Sequence, residues 1–283
     1  MSGTQPSHSL AVVQLIAAAV LWSTSGAFIK LVDWTPMPIA GVRSAIAAIV
    51  LVMVIRRPHF TWSRAQVGGA LAYACSVTLF VAAMKWTSVA NAIVLQYTAP
   101  IHVALLGAWL LDERTTGLDW LSIAITMAGV AMFFVEALSP GALLGNLTAL
   151  ASGFAFACLI IALRSQRHGS PFESILLGNL LAAAISLPFW SHPAPDAVGW
   201  LVLVFLGVFQ LGVAHVLYAS ALRHVRALEA ALVPMIEPIL SPLWALLVIG
   251  ERPGPFAIAG GCLVLGTVAA RGVVMAIRNG KRS

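Results

Sequence analysis

The sequence predicts an all-α integral membrane protein: ten transmembrane helices in two inverted five-helix repeats. Three observations carry this. Charged residues make up only 9% of the chain and hydrophobic ones 60%, against roughly a quarter charged in an ordinary soluble protein. The apolar residues gather in runs near twenty long, the length that crosses about 30 Å of hydrocarbon at 1.5 Å per residue. A segment of the first half also reappears 138 residues later. Net charge is +6, but the basic residues sit singly or in pairs at the ends of apolar runs, so a lipid bilayer is the expected partner and nucleic acid is not.

The spans follow in order. The run 10–32 is too long for a signal-peptide core, and MSGTQPSHS ahead of it has no Lys or Arg, so it reads as a retained first span. The runs 36–55, 66–84, 89–111 and 118–136 complete a first set of five, and 143–163, 172–190, 198–221, 228–249 and 256–276 form a second. Connections are short, so neighbouring spans are antiparallel. With the N-terminus inside, eleven basic residues fall on the cytoplasmic side: Arg56, Arg57, Arg64, Arg114, Arg164, Arg167, Arg223, Arg226, Arg278, Lys281 and Arg282. Lys30, Lys85 and Arg252 fall outside, and Arg43 and Arg271 remain within spans. That asymmetry predicts cytoplasmic N- and C-termini.

The repeat sets FVAAMKWTSVANAIVLQYTAPIHVALLGAWLLDER (80–114) over YASALRHVRALEAALVPMIEPILSPLWALLVIGER (218–252). Pro100 falls on Pro238, Glu113-Arg114 on Glu251-Arg252, and Lys85 on Arg223, without a gap. Five spans per unit is odd, so the second unit (139–283) enters the membrane from the side opposite to the first (1–138). Such inverted repeats are the usual arrangement for alternating access, with the substrate site between units near the midplane. Pro100 and Pro238 would each break a helix deep in the bilayer.

The most informative ionisable residue is Glu237, about 15 Å along the axis from the start of its span, where a carboxyl is costly unless it meets a cavity or a partner. It reads either as a cavity group or as a structural carboxyl bonded to a carbonyl freed by Pro238. Glu229 lies near the interface, either at the mouth of the cavity or at a solvated end. Ser241 and Trp244 continue the Glu237 stripe. In span eight His215 reaches a similar depth, where it could pair with Glu237 or be satisfied by backbone. Tyr218 and Gln210 are weaker candidates. Span four puts Asn91, Thr98 and His102 on one face, with Gln96 and Tyr97 directed elsewhere. Trp22 with Ser23 and Thr24 in span one, and Tyr73, Ser76 and Phe80 in span three, complete the candidate lining. Trp34, Trp62, Trp86, Trp190 and Trp200 fall near span ends, as interface anchors do. Gly68, Ala72 and Ser76, and Gly178, Ala182 and Ser186, form two small-residue seams for close helix packing. The Glu-Arg pairs read as solvated ends, or as a gate. Cys75, Cys158 and Cys262 read as packing residues, and no metal-binding spacing is present.

The stretch LWSTSGAFIK, the segment MKWTSVANAIVLQYTAPIHVALLGAWLLDER and its echo ALRHVRALEAALVPMIEPILSPLWALLVIGER resemble the EamA-type branch of the drug/metabolite transporter superfamily over roughly residues 10–276. The resemblance implies ten spans in two inverted units, no prosthetic group, no enzymatic activity, residence in a bacterial inner membrane and export of amino acids or other small metabolites. The aromatic and threonine exporters look nearest. Protons are a candidate coupling ion, and a monomer is compatible with this plan. The chain departs from the common pattern where Ala99, rather than Glu, precedes Pro100, so any role of that dipeptide would rest on Glu237-Pro238. The rival classes are a membrane-embedded transferase, which would be expected to cluster His or Asp near a charged loop, and a passive channel.

Overall fold

The computed structural model describes residues 8–87, 89–132, 143–167, 171–190, 193–238 and scattered positions between 240 and 270. All regular structure among them is helical. Six stretches are long and apolar enough to cross a membrane: His8–Leu31, Pro36–Ile55, Arg64–Trp86, Leu143–Ser165, Phe172–Phe189 and Ala197–Leu222. The protein is a multi-pass membrane protein. Glu251, Arg252 and Arg271 lie outside the described residues, as does most of span ten.

Helix α1 (His8–Ser23) and α2 (Ser25–Leu31) form span one, with a break at Thr24. Pro36 and Pro38 open α3 (Pro36–Ile55), where a missing N–H costs nothing. Helix α4 (Arg64–Trp86) is capped by the Ser63 hydroxyl, which accepts from Gln66 N at 3.2 Å. Span four is split into α5 (Val89–Gln96) and α6 (Ala99–Leu110). Pro100 therefore begins a helix instead of bending one, and the interruption sits just before it. Helices α7 (Gly117–Met132), α8 (Leu143–Ser165) and α9 (Phe172–Ser186) follow.

Span eight is α10 (Ala197–Phe205), a π-helical stretch (Leu206–Val213) and α11 (Ala214–Leu222). Span nine opens with α12 (Ala227–Leu232) and tightens into a 3-10 turn at Val233–Ile236. Pro234 and Pro238 cause this: neither can donate to the carbonyl four residues back. The Glu237 N–H bonds to Pro234 O instead, in the shorter pattern. Shifted by 138 residues, the Tyr97–Thr98 break of span four falls at 235–236, inside this turn. The two halves are not alike everywhere. The π stretch corresponds to 68–75, which is regular α-helix within α4.

The core joins the two halves of the chain. Helix α4 packs along α8 and α9, α3 against α9 and the π stretch, and α1 against α11 and the 3-10 turn. Of the predicted seams, Gly178 does bring α9 close, since a Cβ there would lie 2.6 Å from Tyr73 Cβ. Gly68 faces open space, and its neighbour Gly69 is the one packed against Ser174 and Ala162. Trp62, Trp86, Trp190 and Trp200 are exposed at helix ends. Trp34 is half-buried and gathers Trp190 and Trp200, at centroid distances of 6.4 and 6.1 Å.

Candidate functional site

Every interruption named above lies on or beside one cavity. Trp22, Arg43, Ser76, Val77, Phe80, Gln96, Tyr97, Phe156, Gln210, Leu211, His215 and Glu237 line it, and its empty space is about 530 Å³ including the mouth. Seven of these residues precede residue 138 and five follow it, so both halves build the wall.

Span nine supplies the carboxyl. Glu237 is 5% exposed, and its Oε2 accepts a 2.6 Å hydrogen bond from the Tyr97 hydroxyl, a length usual for an O–H donor on a carboxylate. Tyr97 Oη also lies 3.0 Å from Pro234 O. A phenol has one proton to give. Donating to Glu237 suits an ionised carboxylate, whereas a protonated Glu237 would donate to Tyr97, which could then donate to Pro234 O. The geometry accommodates the carboxyl in either form.

The proline-rich backbone is satisfied from other helices. Ala230 O loses its helical donor because residue 234 is proline, and it accepts from Tyr218 Oη at 3.0 Å. On the equivalent side, Pro100 leaves Gln96 O without its helical donor. Gly153 of α8 lies against that carbonyl, so closely that a Cβ would come within 2.6 Å of it. The Gln96 amide donates to Ser152 Oγ at 2.9 Å, and Ser152 donates to Ser76 O at 3.0 Å. The chain has three tyrosines, and all are buried here; Tyr73 donates to Asn179 Oδ1 at 3.2 Å.

Span eight contributes His215, whose Nδ1 lies 2.8 Å from Leu211 O. A carbonyl can only accept, so Nδ1 carries the proton. His215 does not pair with Glu237: its ring is held between Trp22 and Tyr73, at centroid distances of 5.1 and 4.9 Å. Trp22 also stands on Tyr218 and Phe156, at 4.9 and 5.8 Å. The widened π stretch presses on α3 at Gly207, where a Cβ would come 2.9 Å from Arg43 O. That contact seats Gln210 beside Arg43, whose Nη1 donates to Gln210 Oε1 at 3.3 Å.

Of the residues expected to line the site, Trp22, Ser76, Phe80, His215 and Glu237 border the cavity. Tyr73 and Tyr218 stand directly behind it, against His215 and Trp22. Ser23, Ser241 and Trp244 form a clasp between spans one and nine. Trp244 Nε1 donates to Ser23 Oγ at 2.8 Å, and Ser241 Oγ to Ser23 O at 3.2 Å. Thr98 turns its hydroxyl to Leu95 O, and His102 packs its ring on Phe154 at 5.4 Å. Gln96 and Tyr97 face the cavity in their place. The break at Tyr97–Thr98 shifts the helical phase, so residues on one face of an uninterrupted helix part company. The side chain of Asn91 lies outside the described residues. Arg43 was legible only as a charge inside a span.

A second polar cluster lies on the arginine-rich face. Asp112, with a φ of 54°, ends α6 in the left-handed turn that Asp tolerates, and the Glu113 N–H returns to Gly107 O at 3.0 Å. Glu113 then meets Arg164 Nε at 2.7 Å and accepts from the Ala227 N–H, which opens α12, at 2.9 Å. Arg164 also donates to Leu222 O at 3.0 Å, and Arg226 to Arg114 O at 2.7 Å. Glu113 and Arg164 are each 12% exposed at the side chain, so this pair is a buried junction, not a solvated end. Glu229 lies nearby in sequence, on α12, and meets His8 at 2.9 Å.

Comparison with known proteins agrees with this architecture. Residues 9–135 and 143–270 each match the model of the EamA-like transporter family. The chain is 25% identical over 258 residues to an uncharacterized transporter of Archaeoglobus fulgidus, covering 90% of this chain and 93% of that protein. It is 23% identical over 250 residues to the threonine/homoserine exporter RhtA of Salmonella typhimurium, covering 85% and 82%. One crystal structure superposes with a TM-score of 0.79 over 95% of this chain and 99% of its own, at 20% identity, a likeness of fold. With both halves matched in turn, the chain belongs to the EamA-like transporter family of the drug/metabolite transporter superfamily.

Proposed function

We propose that the protein is a secondary transporter that exports small organic metabolites, amino acids foremost and of the aromatic or threonine-like kind, across the cytoplasmic membrane by alternating access. Its two units, 1–138 and 139–283, are inverted five-helix repeats, and both termini are cytoplasmic. The observation that carries this reading is the cavity shared by both halves at the point where spans four and nine are each interrupted. Broken helices around a central site are how inverted-repeat carriers bind and release a solute. The family match of each half supports the repeat, and the name of RhtA supports amino acids. Glu237 serves as a substrate contact or a proton carrier. The Glu113–Arg164 junction closes the arginine-rich side, so the described conformation is shut toward the cytoplasm.

Purified protein in liposomes, with no ATP, enzyme or acceptor present, tests the reading. Saturable uptake and counterflow of amino acids or other metabolites, compared at two pH gradients, are expected. Non-saturable leak would indicate a channel, and absence of flux for every solute would reject transport.

A further inference from the structure

Arg43 lies in the middle of α3, 1% exposed, on the cavity wall. A guanidinium offers five N–H donors and is ionised at any working pH. Only two of its groups have partners here, both at long range: Nη1 to Gln210 Oε1 at 3.3 Å and Nη2 to Val77 O at 3.4 Å. Its Nε, also buried, has none. Among the described residues no carboxylate comes within 4 Å of it. Glu237, the one carboxyl among the described residues on the same cavity, is bonded to Tyr97 instead.

A buried cation without a counter-ion is among the costliest arrangements in a protein interior, and more so within a membrane. An arginine kept only for packing would be expected to pair with an acid, as Arg164 does with Glu113. Three separate elements hold Arg43 in place: α3 carries it, α4 supplies Val77 O, and the π stretch supplies Gln210. The fork is thus fixed on the wall with donors to spare, and those donors match a planar anion in two-point contact.

We infer that Arg43, positioned by Gln210, is a carboxylate-binding subsite of the central cavity, so that the carried solute bears a carboxylate which balances the charge of the guanidinium. This rests on the reading of the cavity as the transport site. It goes further by fixing the chemical class: amino acids and other organic acids qualify, while amines and neutral solutes lacking a carboxylate do not. Trp22, Phe80 and Phe156 on the same cavity suit an apolar or aromatic remainder.

The test uses three probe sets on reconstituted full-length protein: α-amino acids, their α-carboxamides, which keep the amine and lose the acid, and N-acetyl amino acids, which keep the acid and lose the amine. Counterflow and ligand-induced thermal shift are both read. Probes with a free carboxylate are expected to bind and move, and matching carboxamides to be roughly tenfold weaker or worse. Arg43→Lys, which keeps the charge but not the fork, should weaken carboxylate probes selectively, and Arg43→Gln should abolish them. Should Arg43→Gln fail to fold, Gln210→Glu decides. It gives Arg43 a built-in counter-ion on the Nη1 side, so folded protein should be recovered while half-saturation for carboxylate probes, whose charge is no longer needed to balance the guanidinium, rises about tenfold. Carboxamides carried as well as acids would overturn the subsite while leaving transport intact, as would wild-type kinetics for acids in folded Arg43→Gln or Gln210→Glu. Absence of binding and flux for every probe set would instead overturn the proposed function and the subsite with it.

Discussion

Replacing Glu237 with Gln separates function from scaffold, because the structure shows how little else the change disturbs. The carboxyl has one side-chain partner, the Tyr97 hydroxyl at 2.6 Å. A Gln side-chain oxygen can accept the same bond. The exchange converts a charge-assisted bond, worth about 1.5–3 kcal/mol, into a neutral one worth about 0.5–1.5, so the stability cost should be on the order of 1–2 kcal/mol. Glu237→Leu loses the bond but leaves no orphaned phenol, since Tyr97 still reaches Pro234 O at 3.0 Å. That variant, too, should stay within about 2 kcal/mol and remain folded. If the carboxyl were only scaffold, an apolar residue here would be expected to harm folding; the second acceptor, Pro234 O, argues against that. Transport should respond differently. Flux in liposomes measured from about pH 5.5 to 8.5 should change in rate or lose part of its pH dependence in both variants, at similar yields of monodisperse protein. Among the described residues, Arg43 and His215 are the other ionisable cavity groups besides Tyr97, and both stay intact, so residual pH dependence would belong to them. Wild-type flux and pH profile in Glu237→Gln, with loss of folded protein in Glu237→Leu, would leave the carboxyl as scaffold and refute the reasoning.

Three further outcomes are expected. Tyr218→Phe removes the hydroxyl that serves Ala230 O, a carbonyl whose helical donor is lost to Pro234, and should lower stability in detergent by about 1–3 kcal/mol; an unchanged melting curve would show that another donor takes over. Glu113→Gln removes the charge from the 2.7 Å pair with Arg164 and leaves one acceptor oxygen for two donors, Arg164 Nε and the Ala227 N–H. It should favour opening on the arginine-rich face, so that a cysteine at Phe156→Cys, in a background lacking the native three, labels several-fold faster from that side. Equal labelling would remove the junction as a gate. Single cysteines near Arg57 and Gln166 should be shielded from an external impermeant thiol reagent while those near Pro195 react; strong external labelling near Arg57 would invert the topology.

Much of this molecule is written in local terms that one chain suffices to read. A twenty-residue apolar run must be a helix in lipid, because no other single segment pairs its own backbone there. Among the described residues, the spans through 198–221 accordingly coincide with helices, apart from the places where they break. Pro100 and Pro238 marked the neighbourhood of the two interruptions that frame the cavity, because proline removes a donor wherever it sits. What the tertiary structure alone decided is direction. An uninterrupted helix carries Thr98 and His102 on one face, but the break at Tyr97–Thr98 resets the phase and turns Gln96 and Tyr97 inward. The π stretch, which no residue type announces, sets Gln210 against Arg43 across 167 residues of chain. Glu113 looked like a solvated end until Arg164 and the start of α12 were seen to enclose it. Hydrophobicity and hydrogen-bond loss act within a few residues and are visible in one dimension; the partner of a buried charge is chosen by packing between distant segments, and only the folded chain holds that choice.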